Sequence, residues 1–207
     1  MRSASVTQPE VRRQILEAAE RLFRAWGYAR TTVADIAREC AMSPANVYRF
    51  FESKKAVNEA ITEVILQQVE EIAHAIAREQ RSVADRLRKL VLELHTFTCD
   101  HMIKDSQVNE LCLRAMDEQW GVIDAHIRRQ RMVLRSLIDE GMKNGEFVAG
   151  DLDFAETCAN NALIPFCHPT VVAQNFAKDR KRQAAAMGEF LVAALQSGVA
   201  SATSMRK

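Results

Sequence analysis

The chain has 207 residues, 48% of them hydrophobic and 27% charged, with only seven glycines and four prolines. Those two breakers make up about 5% of the sequence, against roughly 12% in an average protein, which excludes a turn-rich all-β fold, a collagen-like repeat and a disordered linker, and favours long helices. The 28 Lys+Arg against 27 Asp+Glu give a net charge of +1, but residues 1–55 alone carry ten basic against six acidic side chains, so a basic head precedes an acidic body.

The length exceeds one small module and falls short of two average domains of about 150 residues, so one small and one medium domain are expected. Five cysteines (Cys40, Cys99, Cys112, Cys158, Cys167) are an odd number with no CxxC spacing, which suits a reduced, cytoplasmic setting. The N-terminus lacks the apolar core of a signal peptide and no stretch of about 18 apolar residues occurs, so neither export nor a membrane span is expected.

Residues 1–9 are polar and end in Pro9, which reads as a flexible arm. From Glu10 to Trp26, Ile15, Leu16, Ala19, Leu22, Phe23 and Trp26 share one helical face, and Gly27 stops the helix. Thr31 or Thr32 then caps a two-turn helix, VADIAREC, with Asp35 in its positive first turn. Ser43 and Pro44 open a third short helix, PANVYRFF, and Ser53 caps a long fourth one from Lys54 to about Glu79. Helical spacing continues through Leu87–Thr98, Leu111–Trp120 and Ile123–Ile138. Gly141, Gly145 and Gly150 punctuate a connection, Asp151 opens a helix to about Phe166, a kink surrounds His168, and a last helix spans Val171–Gln196. No strand is predicted, and the fold class is all-α.

Two short helices joined by a tight turn and packed on a longer first helix are what a helix-turn-helix requires, since its second helix must enter the major groove. The run ILEAAERLFRAWGYARTTVADIAREC followed by AMSPANVYRFFESKKAV resembles the DNA-binding domain of the tetracycline-repressor (TetR) family of bacterial transcription regulators. That resemblance implies an N-terminal DNA-binding head, here residues 10–57, and a larger effector-binding and dimerising body, residues 58–207. By position it implies that Thr32 contacts a phosphate, that Ser43, Pro44, Ala45 and Asn46 open the recognition helix, that Tyr48 and Arg49 face the groove, and that Lys54 lies beside a phosphate. Asn46 suits adenine and Arg49 guanine for base readout, while Phe51 reads as core. The sequence departs from the family's pattern at Ala45, Asn46 and Phe50, which bears on which bases are read.

The body shows no nucleophile elbow, phosphate loop or HExxH pattern. His95, His126 and His168 stand in apolar company on separate helices. Two readings stay open: histidines hydrogen-bonded to backbone, or a convergent trio that binds an anionic effector or a metal such as Zn or Ni. Cys99, Met102, Trp120 and Phe166 are the further candidate ligand-binding residues. The resemblance also implies a homodimer through the last two helices, with Leu163, Phe176, Met187, Phe190, Leu191 and Leu195 as candidate contacts. The expected function is a ligand-responsive repressor, not an enzyme, that binds a palindromic double-stranded operator as a homodimer, is released by a small-molecule effector and requires no cofactor. The alternatives are an architectural DNA-binding protein without effector and a metal-dependent hydrolase with a DNA-binding head.

Overall fold

A computed structural model describes residues 7–104, 106–118, 121–174 and 180–198. Among these the chain is helical and contains no strand. The helices are α1 (Gln8–Trp26), α2 (Val33–Glu39), α3 (Pro44–Tyr48), α4 (Lys54–Ala77), α5 (Val83–Phe97), a π-helical segment (Thr98–Ile103), α6 (Ser106–Asp117), α7 (Gly121–Lys143), α8 (Leu152–Cys167), α9 (Pro169–Gln174) and α10 (Arg180–Ser197). They pack as two compact units, the first reaching Ile65 and recruiting Ser106–Val122, the second formed by Leu66–Asp105 and the chain from Ile123.

In the first unit α1 begins at Gln8, two residues before the expected start, because Pro9 is tolerated in a first turn whose N–H groups have no helical partner anyway. The Glu10 carboxylate accepts from the Thr7 N–H at 2.7 Å and from its hydroxyl at 2.9 Å. Ile15, Ala18, Ala19, Leu22 and Phe23 form its buried face. Ile36 and Ala37 of α2, Val47 of α3 and Phe51 complete the small core, so Phe51 is core as its sequence position suggests.

In the second unit α5 and α10 lie close together. Leu87, Leu90, Val91 and Leu94 are buried on the first, and Ala184, Leu191, Val192 and Leu195 on the second. Gly188 permits the approach: a Cβ there would sit 3.2 Å from the Arg88 Cα. Glu146, 62 and 63 positions downstream of its partners, caps α5 by accepting from the Val83 and Ala84 N–H groups at 3.0 Å each. Burial would raise the Glu146 carboxyl, but those two N–H groups and Asn144 outweigh it and hold it below the usual carboxylate range.

Three expectations need correction here. The fourth helix ends at Ala77, not Glu79. The helix expected over Val171–Gln196 is instead α9 and α10, with residues 175–179, including Phe176, outside the described residues. Gly141, read as part of a connection, is buried inside α7, because the Phe147 ring needs the space a side chain would fill: a Cβ there would lie 2.2 Å from Phe147 Cδ2. Adding a methyl to a helical glycine ordinarily helps, yet Gly141→Ala is expected to destabilise by about 1–3 kcal/mol through overpacking. Gly121→Ala, whose added Cβ meets no non-neighbouring atom within 4 Å among the described residues, should stay within about 0.5 kcal/mol of the parent. Urea midpoints of the two variants provide the check.

Candidate functional site

The segment between α2 and α3 is set by backbone geometry. Ala41, at φ 54°, occupies the left-handed region that glycine usually fills. Its N–H donates to the Arg38 carbonyl at 3.1 Å and the Met42 N–H to the Ala37 carbonyl at 2.8 Å, the paired bonds of a Schellman stop. The Ser43 hydroxyl then accepts from the Asn46 N–H at 3.2 Å, and Pro44 supplies the first helical residue. The sequence marked this as a turn, but nothing in its residue types identified Ala41 as the strained position.

Helix α3 is only five residues long, shorter than the PANVYRFF expected, although tighter bonds from the Arg49 and Phe50 N–H groups and an ordinary helical bond from the Phe51 N–H to the Val47 carbonyl continue the curl. Val47 anchors it in the core. Ser43, Pro44, Ala45, Tyr48 and Arg49 are exposed and Asn46 is half-buried. Tyr48 is 52% exposed. One buried side chain thus fixes a helix whose other face carries a ring, a guanidinium and an amide, the donors and apolar surface that read base edges.

The capping of α2 is reciprocal. Thr32 accepts from the Asp35 N–H at 3.2 Å, while its own N–H and hydroxyl donate to the Asp35 carboxylate at 3.0 and 2.6 Å. Those bonds to Thr32 hold the Asp35 carboxyl below its usual range. The Thr32 hydroxyl proton is therefore already committed, and a phosphate would have to draw it from Asp35.

Lys54 departs from the expected role beside a phosphate. Its ammonium turns inward, donating to the Tyr28 carbonyl at 2.8 Å and the Thr31 carbonyl at 2.9 Å, and lies 4.2 Å from the centre of the Tyr28 ring. Burial, and then the nearby Arg114, hold its affinity for a proton below that of an ordinary lysine. The Arg114 guanidinium, on α6, lies 4.8 Å from the same ring centre. The part of Tyr28 and α6 in this clamp gave no signal in the sequence, because both arise from residues far apart in the chain.

In the second unit the predicted ligand-binding residues separate into two groups. The first gathers where α5, the π-helical segment and the end of α8 meet. His95 is buried, its Nδ1 donating to the Phe166 carbonyl at 2.9 Å, which leaves Nε2 as an acceptor 3.5 Å from the Cys99 thiol. The Thr98 hydroxyl donates to the Leu94 carbonyl at 2.9 Å and reaches the Cys167 carbonyl at 3.3 Å. Met102 is buried on the π-helical segment, Phe97 stacks on His101 at 4.4 Å, and the Arg180 guanidinium covers the Phe166 ring at 5.0 Å. Burial, with Cys99 adding to it, pushes the Cys167 thiol up to about 12. Burial lowers the His168 imidazole, whose Nδ1 is buried with no partner among the described residues.

His126 belongs to a second cluster. Its Nδ1 lies 2.8 Å from Glu70 Oε1 on α4, and Arg129 Nε donates to Glu70 Oε2 at 2.7 Å. Burial lowers the His126 imidazole despite the upward pull of Glu70. Burial would raise Glu70, but the bonds from Arg129 and His126 outweigh it and lower its carboxyl. The expected metal trio is therefore not assembled: His95 and His126 are held by different partners, and among the described residues no group of three or more His, Cys, Asp or Glu is placed to hold a metal ion. Trp120 lies outside the described residues.

A short helix anchored by one residue, presented after a capped turn and followed by a separate helical unit, defines a helix-turn-helix DNA-binding protein. The family described as bacterial regulatory proteins, tetR family, matches residues 15–61, and that described as tetracyclin repressor-like, C-terminal domain, matches residues 83–187. The chain belongs to the TetR family and is a ligand-responsive transcriptional repressor. It is 27% identical over 151 residues to the HTH-type transcriptional regulator TtgR of Pseudomonas putida, covering 68% of this chain and 71% of that one. Among solved structures it is similar to a transcriptional regulator of the TetR/AcrR family from Thermobifida fusca, with a TM-score of 0.64, 24% identity and coverage of 95% and 98% of the two chains. It is also similar to the transcriptional regulator FadR from Bacillus subtilis in complex with stearoyl-CoA, with a TM-score of 0.58, 18% identity and coverage of 90% and 98%. None of the helices among the described residues is long and apolar enough to cross a membrane.

The Lys54 clamp has a measurable consequence. Lys54→Met removes the donors of two carbonyls and is expected to cost about 1–3 kcal/mol of stability. Lys55→Met, which removes an exposed pair with Glu118, should cost less than about 1 kcal/mol. Denaturant titration followed by circular dichroism distinguishes the two.

Proposed function

We propose that this repressor holds a palindromic operator as a cytoplasmic homodimer, reading bases through the exposed face of α3, and that an effector in the second unit releases it. The observation that carries the reading is the arrangement of α3: Val47 is buried while the Tyr48 and Arg49 side chains face solvent without an ion-pair or hydrogen-bond partner among the described residues. In this reading Asn46 and Arg49 read base edges, Tyr48 and the Thr32 end of α2 position the backbone, and Lys54 shapes the head instead of touching a phosphate. In this reading residues 10–57 serve DNA and residues 58–207 serve effector and dimer, whereas the first compact unit reaches Ile65 and takes in Ser106–Val122 from the second span.

We place the effector against His95, Cys99, Met102, Phe166 and His168. Support comes from the six-residue π-helical stretch, a costly local geometry concentrated at functional sites, and from the unpartnered His168 Nδ1 beside buried aromatic surface. An effector with an apolar or aromatic body and one polar group matches that lining.

For the dimer, α8 and α10 supply the interface, but with different contacts from those the sequence suggested. Leu163, Leu191 and Leu195 are buried within their own protomer and Met187 is half-buried. Phe190, 66% exposed, remains, joined by the exposed Phe154 and Ile164 of α8. Ala186 and Ala193, also exposed on α10, flank Phe190 at helical spacing and let a partner helix come close.

Two measurements test this. Tyr48→Ala should lower affinity for the selected operator by at least about tenfold while the protein keeps its thermal stability; tight, sequence-selective binding by that variant would remove α3 from the groove. Phe190→Glu should shift sedimentation from dimer to monomer, and an unchanged dimer would move the interface away from α10.

A further inference from the structure

Cys99 differs from the other described cysteines in its neighbour. It is the second residue of the π-helical segment and stands four positions after His95 of α5, a spacing that puts both side chains on one helical face. Its Sγ lies 3.5 Å from His95 Nε2, within reach of an S–H···N bond. Because the Phe166 carbonyl holds the Nδ1–H at 2.9 Å, Nε2 keeps its lone pair for the sulfur. A nucleophile, a base and a third group that fixes the tautomer of the base are thus joined, the arrangement that activates a thiol. Cys40, by contrast, is buried and donates to the Gln14 carbonyl at 3.7 Å, burial keeps Cys167 protonated, and Cys158 is exposed on α8.

The surroundings suit a thiol that is quiet until it is called on. Cys99 is half-buried and keeps part of its surface open, whereas His95 is 2% exposed. The imidazole need only reach the sulfur, not an incoming molecule. Burial, and then the Asp100 carboxylate, raise the Cys99 thiol, while Lys104 and Arg180 pull it the other way. Lys104 is itself bonded to Asp100 at 2.6 Å. The resting sulfur is therefore protonated, and it becomes a nucleophile only when a base accepts its proton. Buried Met102 and Phe166 supply apolar surface at the same junction.

We infer that Cys99 is a covalent attachment site for soft electrophiles that carry a conjugated carbonyl on an apolar or aromatic body, with His95 as the general base. The inference rests on the reading of this junction as the effector site. As Sγ bonds to the β-carbon of the alkene, its proton passes to His95 Nε2 and the alkene electron pair moves through the α-carbon to the carbonyl oxygen, giving an enolate. The imidazolium then returns the proton to the α-carbon. Every atom of both partners ends in the adduct, with no leaving group and no external oxidant or reductant. The cations that favour the thiolate, Lys104 and Arg180, favour the enolate for the same reason.

The test treats the full chain at neutral pH with benzylideneacetone, or with its saturated analogue benzylacetone, and follows adducts by peptide mass spectrometry. Cys99 is expected to gain one reagent mass at least about tenfold faster than free N-acetylcysteine, a thiol without a positioned base, and to gain nothing from benzylacetone. His95→Gln keeps a donor for the Phe166 carbonyl but removes the base, and should slow the Cys99 reaction at least about tenfold. If that variant melts lower than the parent, the pH profile of the parent replaces it: the Cys99 rate should level off while that of N-acetylcysteine still climbs. No adduct at Cys99, a rate no greater than that of N-acetylcysteine, or a profile that climbs in parallel with it overturns the site. Operator release by the reagent in the parent, absent in Cys99→Ser, supports the attachment site and the junction together. A Cys99 adduct formed at the expected rate with operator affinity unchanged keeps the attachment site and overturns the reading of the junction as the effector site.

Discussion

The geometry of the head depends on the ammonium of Lys54. It stands at the first residue of α4, yet the atoms it holds, the Tyr28 and Thr31 carbonyls and the Tyr28 ring, belong to the turn between α1 and α2. The two ends of the helix-turn-helix are thereby fastened to each other. Keeping a cation partly out of water is unfavourable unless oxygens or a π face replace the lost hydration, and here both do. Thr31, held by its own hydroxyl bond to the Gly27 carbonyl at 3.0 Å, leads directly into the Thr32–Asp35 cap. From there each step constrains the next: the cap sets α2, the left-handed Ala41 ends it, and Ser43 starts α3 in the direction that leaves Tyr48 outside.

The second unit uses polar side chains differently. Among its ties, Glu146 meets the start of α5, Glu70 joins α4 to α7, and Glu156 of α8 is bonded by Arg131 of α7 at 2.6 and 2.8 Å. Burying a carboxylate is tolerated where two or more donors meet it, and each of these three has at least two. The region around the π-helical segment lacks that completeness. His168 Nδ1 and Arg180 Nε are buried there without partners among the described residues, beside a helix wound off its usual pitch, a geometry frequent at functional sites. The contrast between satisfied ties and an unsatisfied, aromatic-lined junction is the physical reason to look for an effector at the junction.

Much of this was legible from local signals. Gly27, Thr32, Ser43, Pro44 and Asp151 mark helix boundaries through their own backbone and side-chain chemistry, and each does so in the structure. The apolar stripes located the buried face of α5 and most of that of α1, from which the expected Trp26 departs at 52% exposed. What escaped was long-range or geometric. Lys54 and Tyr28 meet across 26 positions, and His126 finds Glu70 across 56, so no spacing rule brings them together. Gly141 carried the same letter as a connecting glycine, and only the Phe147 ring beside it reveals a packing role. The histidine trio failed for a related reason: apolar company shows that an imidazole is buried, not which partner its nitrogens have.

The charge asymmetry between head and body also changes meaning once the pairs are known. Of the basic residues in the head, Arg13, Arg21, Arg24, Arg38 and Lys55 each face a carboxylate, and Lys54 turns inward. Arg12 lies over the Phe51 ring. Arg30 and Arg49 are exposed and have no carboxylate partner among the described residues. Among the described residues of the head, the exposed cations with neither a carboxylate nor a ring contact are two arginines, one just before the α2 cap and one at the end of α3. The exposed pairs are weak enough to exchange a carboxylate for a phosphate, which gives the head a reserve of backbone attraction. Arg49 has no carboxylate contact to give up, and its place beside Tyr48 makes it the cation best able to contribute to sequence readout.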